Sequence, residues 1–335
     1  MKTWRAIILV AVTAAAAATL AGCGGSHPTG VSGQAPGGSH PPAPTASVAA
    51  AATPADATPA GGSAAAATLY FQTSEEVPFT GDVVILTAQA SAQPGFVGLL
   101  RLASVTVSFG DGTSASATQP CSGGGQAPAA KGLAVAHSYR RAGQFTAEVT
   151  SASICGKTGS PPLNGVSAAV RVLPAAPVAS ASWPVCTTSD VRIADHGTGA
   201  GLGHVGVLFT VHNVSAAGCR LLGYPGLRLL AGNGNALPAT VHDAATGTYL
   251  FPAVAPHRVA LRPGGYAAFE LEYGDNPVGS QANEPYSTAC PTASQADVTL
   301  PGASTGTAIS ASMAPCGGDV WVSPMIPGRK LITFP

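Results

Sequence analysis

The sequence predicts an all-β protein: two β-sandwich domains in tandem, behind an export signal and a disordered linker. Three observations lead there. Charged residues make up only 9% of the 335 residues, while Gly and Pro number 42 and 29, a composition that disfavours long helices. Apolar and polar residues alternate with period two in several short segments, and no window of helical length carries a 3.6-residue apolar stripe. Turn-forming residues separate those segments. The charge balance is even, with 15 basic and 15 acidic residues, so the chain lacks the basic footprint of a nucleic-acid binder.

The chain opens with Lys2 and Arg5, the only charges of its first 22 residues, and continues into the apolar run from Ala6 to Leu20. A basic start, about 15 apolar residues and small residues at the cut describe a secretory signal over residues 1–22. The run falls short of the roughly 20 apolar residues a bilayer span needs. It ends in Leu20-Ala21-Gly22-Cys23, which resembles the lipobox of bacterial lipoproteins. That resemblance implies cleavage before Cys23 and acylation of its thiol. The mature protein would be lipid-anchored at the outer face of the cytoplasmic membrane, since two or more acyl chains hold stably where one does not.

Residues 23–68 form the lipidated Cys and a linker of Ala, Pro, Gly, Ser and Thr, with Asp56 as its only charge. It lacks the apolar surface to offset the entropy of ordering. As a flexible coil it reaches roughly 35–40 Å. A second Pro/Ala-rich stretch at 175–182 reads as a hinge between blocks 69–174 and 183–335, each long enough for its own core.

In the first block, Val105, Val107 and Phe109 share one face, as do Phe145, Ala147 and Val149, and Val166, Ala168, Val170 and Val172. Asp82 to Ala88 is a further strand. Ser108-Phe109-Gly110-Asp111-Gly112-Thr113 ends one strand in a tight turn, and His137-Ser138-Tyr139 precedes Gly143-Gln144-Phe145. Together they resemble the PKD domain, an immunoglobulin-like sandwich. The departures are Ser138, Phe145 and Val107-Ser108 in place of the family's usual Thr, Tyr and Trp-Asp. The resemblance implies a spacer or interaction module. Some members bind calcium, but Asp111 has too few acidic neighbours for a site of six to eight oxygens and reads as a turn carboxylate. His137 and Tyr139 read as packing residues.

In the second block, Val205, Val207, Phe209 and Val211 alternate, as do Ala267, Phe269, Leu271 and Tyr273, with Glu270 and Glu272 expected on a solvated face. Short strands follow at 297–300, 307–312 and 319–323. Asn213 to Gly226, Leu261 to Phe269 and Cys316 to Pro324, with the cysteine spacing, resemble the lipoprotein domain known as domain of unknown function 4232, common in actinobacteria. The resemblance spans about 185–326 and implies no chemistry.

Seven cysteines are present. With Cys23 acylated, six remain in an exported chain, where disulfides persist. The block boundary sets Cys121 with Cys155. For Cys186, Cys219, Cys290 and Cys316 the sequential pairs are favoured, because each flanks a motif the other lacks; the other pairings of these four stay open. Each bridge closes a loop worth roughly 3–4 kcal/mol in the chain-entropy picture. Cys-x-x-Cys spacing, the mark of a cysteine metal site, is missing.

Catalytic motifs are equally sparse. Gly156-Lys157-Thr158 looks like the end of a P-loop, but the first glycine would fall on Ser151. His204 and His212 share a strand face roughly 26 Å apart, too far for one metal. His196, His242 and His257 read as loop residues without ordered spacing. The expectation is a non-enzyme without metal or cofactor, acting as a surface binding or scaffolding module. Its partners would be the membrane, through the anchor, and a cell-envelope protein or polysaccharide. The rival readings are a carbohydrate site and an enzyme of unfamiliar design. Tyr224, Tyr249, Phe251 and Tyr286, with the unpatterned stretches 249–252 and 276–286, point to the second block as the partner side.

Overall fold

The computed structural model describes residues 67–75, 77–92, 100–122, 130–163, 165–175, 182–201, 203–277 and 290–329. The signal segment, Cys23, nearly all of the linker, residues 176–181 of the hinge and Tyr286 lie outside them. The protein is all-β, and among the described residues there is no α-helix.

The first sandwich holds β1 (Thr68–Thr73), β2 (Val83–Ser91), β3 (Leu102–Ser108), β4 (Ser114–Thr118), β5 (Leu133–Ser138), β6 (Gly143–Ile154) and β7 (Ser167–Val172). One sheet runs β1-β2-β5 and the other β4-β3-β6-β7, with antiparallel neighbours. The alternating residues meet between the sheets: Val84, Leu86, Val105, Val107, Phe109, Val149 and Val170 are all buried in one core. Leu133 and Val135 of β5 and Tyr139 just beyond it close that core.

The second sandwich holds β8 (Val191–Gly201), β9 (His204–Asn213), β10 (Cys219–Leu221), β11 (Gly226–Leu230), β12 (Thr240–Asp243), β13 (Val259–Leu261), β14 (Tyr266–Gly274), β15 (Ala293–Thr299), β16 (Gly306–Met313), β17 (Asp319–Val322) and β18 (Ile326–Pro327). A six-stranded sheet runs β12-β17-β14-β9-β8, with β18 also on β14. It faces the sheet β11-β15-β16, and β10 pairs with β13. Only β12 and β17 run parallel among these pairs. Phe209 and Phe269 sit directly opposite each other on β9 and β14, with their rings stacked 5.0 Å apart at the centre of the core.

The structure pairs Cys121 with Cys155, Cys186 with Cys219 and Cys290 with Cys316. The first joins the chain beyond β4 to the chain beyond β6, the two strands that flank β3. The second fastens the chain before β8 to β10, and the third ties the open end of the β15–β16 hairpin.

Two expectations fail here. Glu270 and Glu272 are buried, not solvated, because the outward face of the six-stranded sheet is itself covered. His196 and His242 lie on strands rather than loops: His196 occupies a bulge of β8, and His242 of β12 pairs with Asp319 at 2.8 Å.

Candidate functional site

The outward face of the six-stranded sheet forms the seam with the first sandwich. Strand pleating turns Leu208 and Ala268 away from the core that takes Val207, Phe209, Ala267 and Phe269. Leu208 and Ala268 instead form a second apolar cluster with Ile85 of β2, Ile326 of β18 and Val254. Val83 and Ala134 of the first sandwich pack against it.

Beside this cluster lies a charged corner. Arg262 donates from Nη1 to Asp82 Oδ2 at 2.7 Å, joining residues 180 positions apart. Its guanidinium lies 3.9 Å from the centre of the Phe79 ring and 5.7 Å from that of Trp183. Asp82 also accepts from the Phe79 backbone N–H at 3.1 Å. Glu75 borders the same small cavity of about 50 Å³, with Arg258 and Tyr266 across from it. Burial first, and then the charge of Asp82, push the Glu75 carboxyl up to about 7 against the pull of Arg262.

A strap over residues 244–254 closes the other end of the seam. The sequence offered Tyr249 to Pro252 as a partner loop, but Leu250, Phe251, Pro252 and Val254 are buried. Their anchor is Glu272, which is fully buried. It accepts hydrogen bonds from the Thr248 hydroxyl and, at 2.7 Å, from the Leu250 N–H, and its other oxygen lies 2.8 Å from His204 Nδ1. The His204 ring stacks on Tyr249 at 4.7 Å, and Lys131 Nζ of the first sandwich lies over the Tyr249 ring, 5.1 Å from its centre. Burial and the Glu272 charge raise the Tyr249 hydroxyl above its ordinary pKa. This acid–imidazole pair has the outline of a catalytic dyad, but the hydroxyl at the carboxylate belongs to Thr248, whose oxygen also receives the Phe251 N–H. Those bonds tie the strap to β14.

The turn motif of the first sandwich builds an aromatic ladder. Phe109 stacks on His137 at 3.8 Å, Tyr139 meets His137 edge-on, and Phe145 stacks on Tyr139 at 4.6 Å. Tyr139 donates its hydroxyl to the Phe109 carbonyl at 3.2 Å, and burial pushes its pKa up to about 12. Asp111 receives the Thr113 N–H at 3.0 Å and the His137 imidazole at 2.9 Å. Burial raises its pKa, but the hydroxyl bond from Thr113 at 2.6 Å, with the His137 and Thr113 N–H bonds, outweighs it and holds the carboxyl below the usual range. Gly110 is required at this turn: its φ is +76°, and a Cβ would lie 2.6 Å from the Thr146 carbonyl oxygen. An open groove of about 500 Å³ borders the ladder, with Arg140 and Arg141 on its rim.

The other sequence candidates scatter. Tyr224 is half-buried, and Phe251 is buried in the same strap that carries the half-buried Tyr249. His212 stacks on Tyr266, and His257 is held by burial below its ordinary pKa. Among the described residues no group of three or more His, Cys, Asp or Glu could hold a metal ion. One motif escapes a sequence reading: Gly302-Ala303-Ser304-Thr305-Gly306 has nucleophile-elbow spacing. It lies in the exposed turn between β15 and β16, not in the strand–helix turn that such a nucleophile needs. The residues of the seam, too, carry no sequence motif; the apolar residues on the outward faces of β9 and β14 were their one signal.

No curated protein matches the chain. Among solved structures it is similar to one described as "Structure of Yersinia pseudotuberculosis adhesin InvE", with 13% identity and a TM-score of 0.21. That match covers 64% of this chain and 58% of the other, so the chain spans less than two thirds of its length. Residues 186–325, from the first cysteine of the second sandwich to the residue before β18, carry a domain described as Domain of unknown function (DUF4232).

Proposed function

We propose that the protein is an exported lipoprotein, anchored through Cys23, whose two-sandwich head is a non-catalytic binding or scaffolding module outside the cytoplasmic membrane. The observation that carries this reading is the cysteine balance. All six described cysteines are bridged within their own sandwiches, and the seventh, Cys23, stands directly behind the apolar export segment. The first sandwich serves as a PKD-like module, and the seam makes the two blocks one presented body. The groove beside Arg140 and Arg141 is the surface offered to a cell-envelope protein or polysaccharide, in place of the strap residues that the sequence favoured.

Cys23→Ser tests the anchor. The variant is expected to leave the membrane fraction or persist as an unprocessed precursor, without acyl mass on its N-terminal peptide. Mature-size, membrane-bound, acylated Cys23→Ser protein would overturn the reading.

A further inference from the structure

We propose that the seam is a proton-operated latch: Glu75 and Asp82 of the first sandwich line one cavity with the Arg262 guanidinium of the second, and the seam closes fully only when Glu75 is neutral. The geometry commits Arg262 to Asp82. Its Nη1 is 2.7 Å from that carboxylate, and its plane is held against Phe79. Glu75 is therefore a second acid beside an arginine already paired, at the edge of a cavity with room for only a few water molecules.

The charged and titratable groups facing this cavity come from every element around it. Asp82 lies in the turn before β2, Arg258 and Arg262 flank β13, and Tyr266 opens β14. Arg329, after β18, lies 3.5 Å from the centre of the Tyr266 ring, so its charge is directed there. His212 stacks on Tyr266 as well. The second sandwich also approaches this strand end closely: a Cβ added at Gly328 would overlap the Ser74 carbonyl and lie 3.3 Å from the Glu75 Cβ. Undocking would rehydrate Glu75 and remove Arg262 together.

The sign follows from which state holds the proton. The docked carboxyl titrates near 7 and its ordinary value is 4.5, so between those values the docked state binds more protons. Docking is strongest below about 4.5, weakens as pH rises through that window, and is weakest above about 7. A shift of that size corresponds to about 300-fold in the docking equilibrium at most, and partial exposure reduces it to roughly 10- to 100-fold.

Amide hydrogen exchange on the full chain tests this at pH 5.5 and 8.0, with each rate divided by the chemical exchange rate at that pH. The seam reporters are Gly328 N–H, bonded to Tyr266, and Ser74 N–H, bonded to Ile85; each bond lies within its own sandwich, and both residues are buried where the two sandwiches meet, so their protection reads the cover that docking supplies. In the wild type they are expected to lose roughly 10- to 100-fold in protection at pH 8.0. Glu75→Gln, and equally Glu75→Ala, should keep that protection at both pH values, while amides of β3 and β15 do not change. The latch is wrong if the variants lose protection as the wild type does. It is equally wrong if the wild-type loss spreads to β3 and β15, or if seam protection does not depend on pH.

Discussion

Glu272→Ala is expected to lower the unfolding midpoint of the second sandwich by roughly 10 °C. The carboxylate is fully buried on the outward face of β14 and holds two donors, the Thr248 hydroxyl and the Leu250 N–H, with His204 Nδ1 2.8 Å from its other oxygen. Removing it leaves the buried Thr248 hydroxyl and Leu250 N–H without their acceptor, and the strap loses its buried carboxylate anchor. Breaking a buried ionic network by deleting one partner costs about 3–5 kcal/mol. At roughly 2–4 °C per kcal/mol for a domain of this size, the midpoint drop follows. Glu272→Gln should fall between the two, because the amide keeps one acceptor but turns a donor toward a group that donates. Scanning calorimetry decides it. A midpoint within about 2 °C of wild type for Glu272→Ala would mean the strap is held by its apolar residues alone.

Gly328→Ala is expected to uncouple the two sandwiches. Gly328 has φ +89°, where alanine is strained, and an added Cβ would overlap the Ser74 carbonyl of the first sandwich and lie 3.3 Å from the Glu75 Cβ. The strain and the overlap together cost about 2–4 kcal/mol, and separation of the sandwiches relieves the overlap. The near neighbours of the added methyl group are Ser74 and Glu75 of the other sandwich, so each sandwich should stay folded. The expected result is a melt resolved into two separate transitions, with exchange protection lost at Ser74 and kept in β3 and β15. A single coupled transition like that of the wild type would show that the seam tolerates the methyl group and is looser than described.

The residues that carry the cores were legible because each strand shows a clean alternation. Val105, Val107 and Phe109, or Val207, Phe209 and Val211, have one destination in a sandwich. The seam was not legible, and the reason is physical. Period-two reasoning sets the partner face of a strand in solvent unless a second layer covers it, so Glu270 and Glu272 were assigned to water. The covering layer comes from the other block, and the pair that fixes the charged corner is separated by 180 residues. A weak signal existed: Leu208 and Ala268 are apolar on that same outward face, and Val83 to Leu86 is an unbroken apolar run, the pattern of a strand covered on both sides. The strap has no period because it is neither helix nor strand. Its aromatic and apolar residues therefore looked like a surface loop, although an irregular segment anchored by a buried carboxylate can bury them equally well. The turn motif of the first sandwich was readable because Gly110, Asp111, His137 and Tyr139 are defined by local geometry, and each sits where that geometry requires.

Residual dipolar couplings on the full chain at pH 5.5 are the most direct test that the two sandwiches form one body across the seam. Couplings from β3 and β6 of the first sandwich and from β9 and β14 of the second should fit a single alignment tensor, in the relative orientation fixed by the Asp82–Arg262 pair and the Ile85–Leu208–Ile326 cluster. Two tensors of different magnitude or direction, one for each sandwich, would contradict it: the blocks would then be independent domains on a hinge.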